Sequence, residues 1–287
     1  MENNMKISET LLKFSDWLRF KKQVREGTVK YYEKVLNVFM KEMGDLEIKH
    51  IKKETFWEWQ RKMKEQNKSQ TTQRFYILFL RVFLRFCKEE RLTNIDINEI
   101  AIPQKPPKKE VIYLGNGEVN KFTKSIGDLK FRTIVELLLG SGMRISELLS
   151  LKKDDIKNGE VKIISKGRER IVLFSERALS WLEKYLKKRK DNGPFLFPGK
   201  RKQILSSGII ESFFRKHCKE IGIEKRITPH TLRKTFGTNL LMNGANLFYV
   251  QNLLGHADIK TTAENYLGID WGQIKKTFQK CLNYEKE

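Results

Sequence analysis

The sequence predicts a mainly α-helical protein of two domains, with a small β-hairpin in the second. Three observations carry this. Apolar residues recur at helical spacing along most of the 287-residue chain. The stretch AIPQKPPKKE, beginning at residue 101, breaks that periodicity with three prolines and a run of lysines. One further run, EVKIISKGRERIVLF, has the texture of two short strands about a basic turn. The length is enough for two cores. The 39% hydrophobic and 32% charged fractions are those of a soluble globular protein.

The first domain, residues 1–100, reads as a helical bundle. Ile7, Leu11, Phe14 and Leu18 keep helical spacing, and Gly27-Thr28 marks a break and the next cap. Tyr32, Val35, Leu36, Phe39 and Met43 continue the pattern to Gly44, and Phe56, Trp57 and Met63 mark a third helix. Ser69 caps a fourth, whose stripe is Phe75, Leu78, Phe79, Val82, Phe83 and Phe86. Lys68, Arg74, Arg81 and Arg85 lie off that stripe, either along a phosphate backbone or simply in water. Residues 101–112 read as the linker.

The second domain, residues 113–287, opens with a helix over Asn116–Ser125, capped by Asn116, and another over Phe131–Leu139 that stops at Gly140. The turn Ser141-Gly142 puts Arg144 at a helix start, with Glu147 three residues on. Taken alone, that spacing equally describes an ordinary surface ion pair. Val161, Ile163, Ile171 and Leu173 are the apolar positions of the hairpin, and Lys166 lies at its tip. Trp181, Leu182, Tyr185 and Leu186 form the next helix, and Ile209, Phe213 and Phe214 another.

The segment TPHTLRKTFGTNLLMNGANLFYVQNLLGHADIKTTAENY concentrates chemistry beside helix ends. Thr228 is an N-cap and Pro229 fits the first helical position. His230 and Arg233 share one face, while Leu232, Phe236 and Leu240 form a stripe suited to a core. Asn246 caps the next helix and Gly255 ends it, so His256 emerges just past a helix terminus. Thr261 to Glu264 reads as a capping box, with Tyr266 in the turns that follow.

A net charge of +22 points to a polyanion, nucleic acid first, although a solvated lysine-rich surface would carry the same charge. Cys87, Cys218 and Cys281 have no paired spacing, so neither disulfides nor zinc are expected. With no signal-like run and no stretch long enough to cross a membrane, a cytoplasmic, nucleoid-associated protein without membrane partners is expected.

The order GSGMRISELLSL, ISKGRER, TPHTLRKTFGTNLL and LLGHADIKTTAENY resembles the tyrosine recombinase family of phage integrase and Xer-type enzymes along essentially the whole chain. The resemblance implies a SAM-like, core-binding helical domain ahead of a catalytic domain. It assigns Arg144 and Arg233 as the catalytic arginines, Glu147 as the acidic residue supporting the first, and Lys166 as the hairpin lysine. His230 and His256 are the catalytic histidines, and Tyr266 is the nucleophile. Lys234 stands where histidine or arginine is more usual, and Tyr266-Leu267-Gly268 replaces the common YTH.

These residue types suit the chemistry. Guanidinium forks match the non-bridging oxygens of a phosphodiester, which gain charge on attack. A tyrosine hydroxyl needs a base or a positive field near neutral pH, for which His230 and the arginines are candidates. Lys166 is the candidate acid for the leaving 5′ oxygen. The resemblance implies a 3′-phosphotyrosyl intermediate needing no metal, ATP or other cofactor. It also implies a tetramer on two duplex recombination sites, exchanged through a tail helix of Trp271, Ile274, Phe278 and Leu282. A monomeric fold-back of that helix is the alternative. The reading is a Xer-like or simple mobile-element recombinase, with accessory or directionality proteins possible as partners. A type IB topoisomerase-like nicking-closing enzyme and an inactive DNA-binding regulator are the alternatives.

Overall fold

The computed structural model describes residues 5–107, 111–165, 168–199 and 203–255. The chain divides into two compact units, Met1–Lys108 and Lys109–Glu287. The architecture is mostly helical with one two-stranded antiparallel sheet.

The first unit is built on α1 (Ile7–Asp16), α2 (Glu26–Met43), α3 (Lys53–Glu65) and α4 (Gln70–Glu89), with a π-helical turn over Trp17–Lys21 extending α1. Its core is aromatic, with Phe14, Phe39, Phe56, Trp59 and Phe83 all fully buried. Phe14 meets Phe83 edge-on with ring centroids 5.2 Å apart, and Trp59 meets Phe39 the same way at 4.8 Å. Such pairs add about 0.5–1.5 kcal/mol each to the burial of their area. The Trp59 indole N–H donates to Glu42 Oε2 at 2.7 Å, so this large ring is buried without an orphaned donor.

Several local expectations shift by a residue or more. Helix α2 starts at Glu26 with Arg25 as N-cap, and Gly27-Thr28 falls in its first turn, where backbone N–H groups lack intrahelical acceptors in any case. In α3 the buried tryptophan is Trp59, and Trp57 is exposed. Ser69 does cap α4, accepting from the Thr72 N–H at 3.2 Å. Phe83 and Phe86 of the expected stripe are buried, together with Tyr76, Ile77, Leu80, Leu84 and Cys87, whereas Phe75 is turned outward. Apolar residues cover so much of this helix that spacing alone did not set its phase; packing against α2 and α3 did. Of the basic side chains, Lys68 is tied to Glu42 at 2.8 Å and Arg74 donates to the Pro103 carbonyl at 2.6 Å. The proline-rich segment therefore begins docked on its own bundle, with Ile100 buried and the Ala101 carbonyl accepting from Gln60.

The second unit contains α5 (Asn116–Lys124), α6 (Leu129–Ser141), α7 (Ile145–Ser150), β1 (Glu160–Ser165), β2 (Arg168–Leu173), α8 (Glu176–Lys188), α9 (Ser207–Glu220), α10 (Pro229–Met242) and α11 (Leu247–Leu254). Gly115, not Asn116, caps α5, and its N–H donates to Glu118 Oε2 at 2.9 Å. Ile134, Val135, Leu137 and Leu138 make α6 the central helix of this core. It runs through Gly140 rather than ending there. A Cβ at Gly140 would lie 2.7 Å from Ala178 Cβ, so this glycine serves the close approach of α8. The helix ends at Gly142, whose φ of +62° is left-handed. In α9 Ile210 and Phe214 are buried while Ile209 is exposed.

The expected hairpin forms, and its pairing sets which residues face inward. Val161 pairs with Val172 and Ile163 with Arg170, and directly opposed residues share a face. Val161, Ile163 and Val172 are buried, whereas Ile171 and Leu173 point outward. Strand residues alternate between the two faces, so the phase that buries Val172 also brings Arg170 to the inner one.

The aromatic phase of α4 is directly testable. Phe83→Ala should cost about 3–5 kcal/mol, while Phe75→Ala should stay within about 0.5 kcal/mol. Chemical denaturation of both variants checks it; equal losses would mean that α4 packs in a different rotation.

Candidate active site

Arg144 follows the left-handed turn at Gly142 and adopts extended backbone angles, φ −72° and ψ 144°, as the N-cap of α7. Its backbone N–H donates to Glu147 Oε2 at 2.9 Å, and its Nη1 donates to Glu147 Oε1 at 2.8 Å. The spacing read as a possible surface ion pair is a fixed contact: the Glu147 side chain is 10% exposed, against 36% for Arg144. Glu147 is gripped from a second side by Arg170, whose Nη2 and Nη1 donate to its two oxygens at 2.6 and 3.1 Å. Burial alone would raise the Glu147 pKa. The hydrogen bonds from Arg170 and Arg144 outweigh it and hold the carboxyl below the usual carboxylate range.

Helix α10 brings the next pair. Thr228 Oγ1 accepts from the Thr231 N–H and Thr231 Oγ1 from the Thr228 N–H, both at 3.1 Å, and Pro229 occupies the first turn. Arg233, one turn in, is 2% exposed. Its Nη1 donates to the Gly142 carbonyl at 2.6 Å and its Nη2 to the Leu254 carbonyl. Those carbonyls lie at the ends of α6 and α11, where intrahelical donors run out and the helix dipoles are negative. The buried cation thus stands between two helix C-termini. Leu232 joins the main core, while Phe236 and Leu240 pack instead on Val250 and Leu254 of α11.

His230 keeps solvent access at the start of α10. Its pKa is nevertheless pushed below the ordinary histidine value, first by the desolvation its surroundings impose and then by the positive charges of Lys234, Arg233 and Arg144. The ring is therefore neutral near neutral pH and has a nitrogen lone pair to offer. The same interaction shows that His230 lies within electrostatic reach of both arginines.

Asn246 caps α11 by accepting from the Phe248 N–H at 2.8 Å, and Gly255 ends it with φ +63°. Lys166, His256 and Tyr266, together with Trp271, Ile274, Phe278 and Leu282, lie outside the described residues. Among the described site residues, Arg144, Glu147, His230 and Arg233 are brought to one region. Arg170 was missed in the sequence, where it stood only as an unassigned residue of the motif ISKGRER. The alternation Arg170, Val172, Phe174 carries the missing signal, once Val172 rather than Ile171 is taken as the inward residue.

Comparison with known proteins identifies the family. Residues 11–91 match the phage integrase N-terminal SAM-like domain, and residues 116–270 match the phage integrase family. The chain is 32% identical over 289 residues to the tyrosine recombinase XerD of Oceanobacillus iheyensis, covering 93% of this chain and 95% of that protein. It is 29% identical over 294 residues to the tyrosine recombinase XerC of Leptospira interrogans, covering 96% and 93%. Among solved structures, a XerA recombinase aligns with a TM-score of 0.54 at 25% identity, covering 96% of this chain and 98% of that one. The Tn1549 transposon integrase in complex with circular intermediate DNA aligns with a TM-score of 0.73 at 21% identity, covering 96% and 99%, a likeness of fold. With both domains matched in order and the Xer relatives aligned nearly end to end, the chain belongs to the phage integrase family of tyrosine recombinases and is a site-specific recombinase.

Proposed function

We propose that this recombinase cuts and rejoins double-stranded recombination sites through Tyr266, by the following division of labour. The Tyr266 Oη attacks the scissile phosphorus, the bond to the 5′ oxygen breaks, and the phosphate is held as a 3′-phosphotyrosyl ester. His230 takes the tyrosine proton, and Lys166 delivers one to the leaving 5′ oxygen. Arg144 and Arg233 face the non-bridging oxygens, and His256 adds a further donor. The freed 5′ hydroxyl of a second duplex attacks the ester and reverses the chemistry. Two such rounds exchange strands through a Holliday junction.

The observation that most supports this reading is the convergence of Arg144, Arg233 and a neutral His230 from two segments about ninety residues apart. Guanidiniums stabilise charge that develops at phosphate oxygens, and their field lowers the cost of forming a phenolate. A histidine held neutral beside them is the form a base requires. Lys166, His256 and Tyr266 take their roles from the motif resemblance. The tail residues Trp271, Ile274, Phe278 and Leu282 are assigned to exchange between subunits in a tetramer on DNA, with accessory or directionality proteins as further partners. No described helix is long and apolar enough to cross a membrane, and the protein acts on DNA in the cytoplasm.

Nicked suicide duplexes tiled across the DNA flanking the gene should give a denaturant-stable adduct with the wild type. Tyr266→Phe should give none while binding DNA nearly as well, and an adduct from that variant would refute the nucleophile. The depressed His230 pKa sets the sign of the pH dependence. Lowering a base's pKa preserves its active form to lower pH, so single-turnover cleavage should hold down to about pH 6.5 and fall only below it. His230→Gln should slow cleavage by about 10²–10⁴-fold and lose that acid limb; a limb retained in the variant would place the base elsewhere.

A further inference from the structure

We propose that Arg170 is a positioning residue for Arg144, sharing the Glu147 carboxylate so that the Arg144 guanidinium stays charge-uncompensated and presented toward the scissile phosphate. This role rests on the active-site reading above.

Both Glu147 oxygens carry two donors. Oε1 accepts from Arg144 Nη1 at 2.8 Å and Arg170 Nη1 at 3.1 Å, and Oε2 accepts from the Arg144 backbone N–H at 2.9 Å and Arg170 Nη2 at 2.6 Å. Arg170 thus holds the parallel, two-pronged geometry, leaving Arg144 a single side-chain contact to the carboxylate. The two arginines also differ in access. Arg170 is 10% exposed, whereas Arg144 is 36% exposed. One carboxylate between two guanidiniums leaves one positive charge unbalanced, and it resides on the accessible partner. Without Arg170, Glu147 would pair with Arg144 alone and cancel the charge that a phosphate needs to meet.

Arg170 is also locked from its other side. A Cβ at Gly255 would lie 2.6 Å from Arg170 Cδ and 3.0 Å from its Nε and Nη1. The side chain therefore lies directly on the turn that leads into His256. Its Nε is buried with no hydrogen-bond partner among the described residues. An unpaired buried donor is costly, so this placement does not serve the side chain's own satisfaction; the grip on Glu147 is the interaction that compensates it.

The test is a double-mutant cycle at the chemical step. Wild type, R170M, R170K, E147Q and E147Q/R170M are compared for adduct formation on the suicide duplex at saturating protein, for DNA affinity, and for folding by circular dichroism. R170M should slow adduct formation on the order of 100-fold, as loss of alignment does, with affinity nearly unchanged and R170K falling between it and wild type. In the E147Q background the R170M deficit should largely disappear, because residues acting through one contact are not additive. If R170M does not fold, R170K is made in both backgrounds, where it should slow the wild type and not E147Q. Wild-type rates in R170M or R170K, or a deficit undiminished by E147Q, would overturn the role. Absence of any adduct from the wild type would instead remove the active-site reading on which it rests.

Discussion

The Arg233 guanidinium, buried between the C-terminal ends of α6 and α11, is the constraint on which the catalytic unit depends. A buried cation is tolerated only where the protein supplies compensating partners. Here the carbonyls of Gly142 and Leu254 do so, at the two places where helices leave acceptors unsatisfied. The arrangement settles several features at once. Gly142 must turn left-handed to present its carbonyl, and a Cβ there would collide with the Phe236 ring. Arg144 follows two residues later and is carried to the same region. Helix α11 must end where it does, at the Gly255 turn.

Around that anchor, charge is apportioned rather than neutralised. Glu147 meets two arginines and lies between them as their shared acceptor. Elsewhere in the unit the same device is structural: Glu136, almost fully buried, accepts from Arg132 and Arg177, and the Arg132 guanidinium lies 4.8 Å from the Trp181 ring centroid. In both clusters one arginine is buried and the other keeps solvent access, Arg132 and Arg177 at Glu136, Arg170 and Arg144 at Glu147. The Glu147 pair differs in its neighbours, since Arg144 lies in the region of Arg233 and His230. His230, desolvated by its surroundings and with no carboxylate among the groups that shift it, holds its proton less tightly beside this positive charge.

Reading the chain in advance succeeded where a signal is local. Ser69, Thr228 and Asn246 cap the helices they were expected to cap, because a cap is a contact across two or three residues. Gly255 ends its helix for the same reason. The reading slipped where the deciding contact was distant. Trp57 and Trp59 are equally plausible core residues until α2 selects Trp59. Gly140 looks like a stop signal until α8 packs on it.

By itself, the sequence determined that the chain is mainly helical with a hairpin, and that it belongs with the tyrosine recombinases. Those properties live in periodicity, capping and short motifs, all legible within a few residues. Only the tertiary structure decided that Ile171 faces out and Arg170 faces in, that Glu147 serves two arginines, and that Arg233 caps two helices other than its own. The physical reason is that strand phase and the pairing of buried charges depend on what covers each side chain, and the covering segments come from elsewhere in the chain.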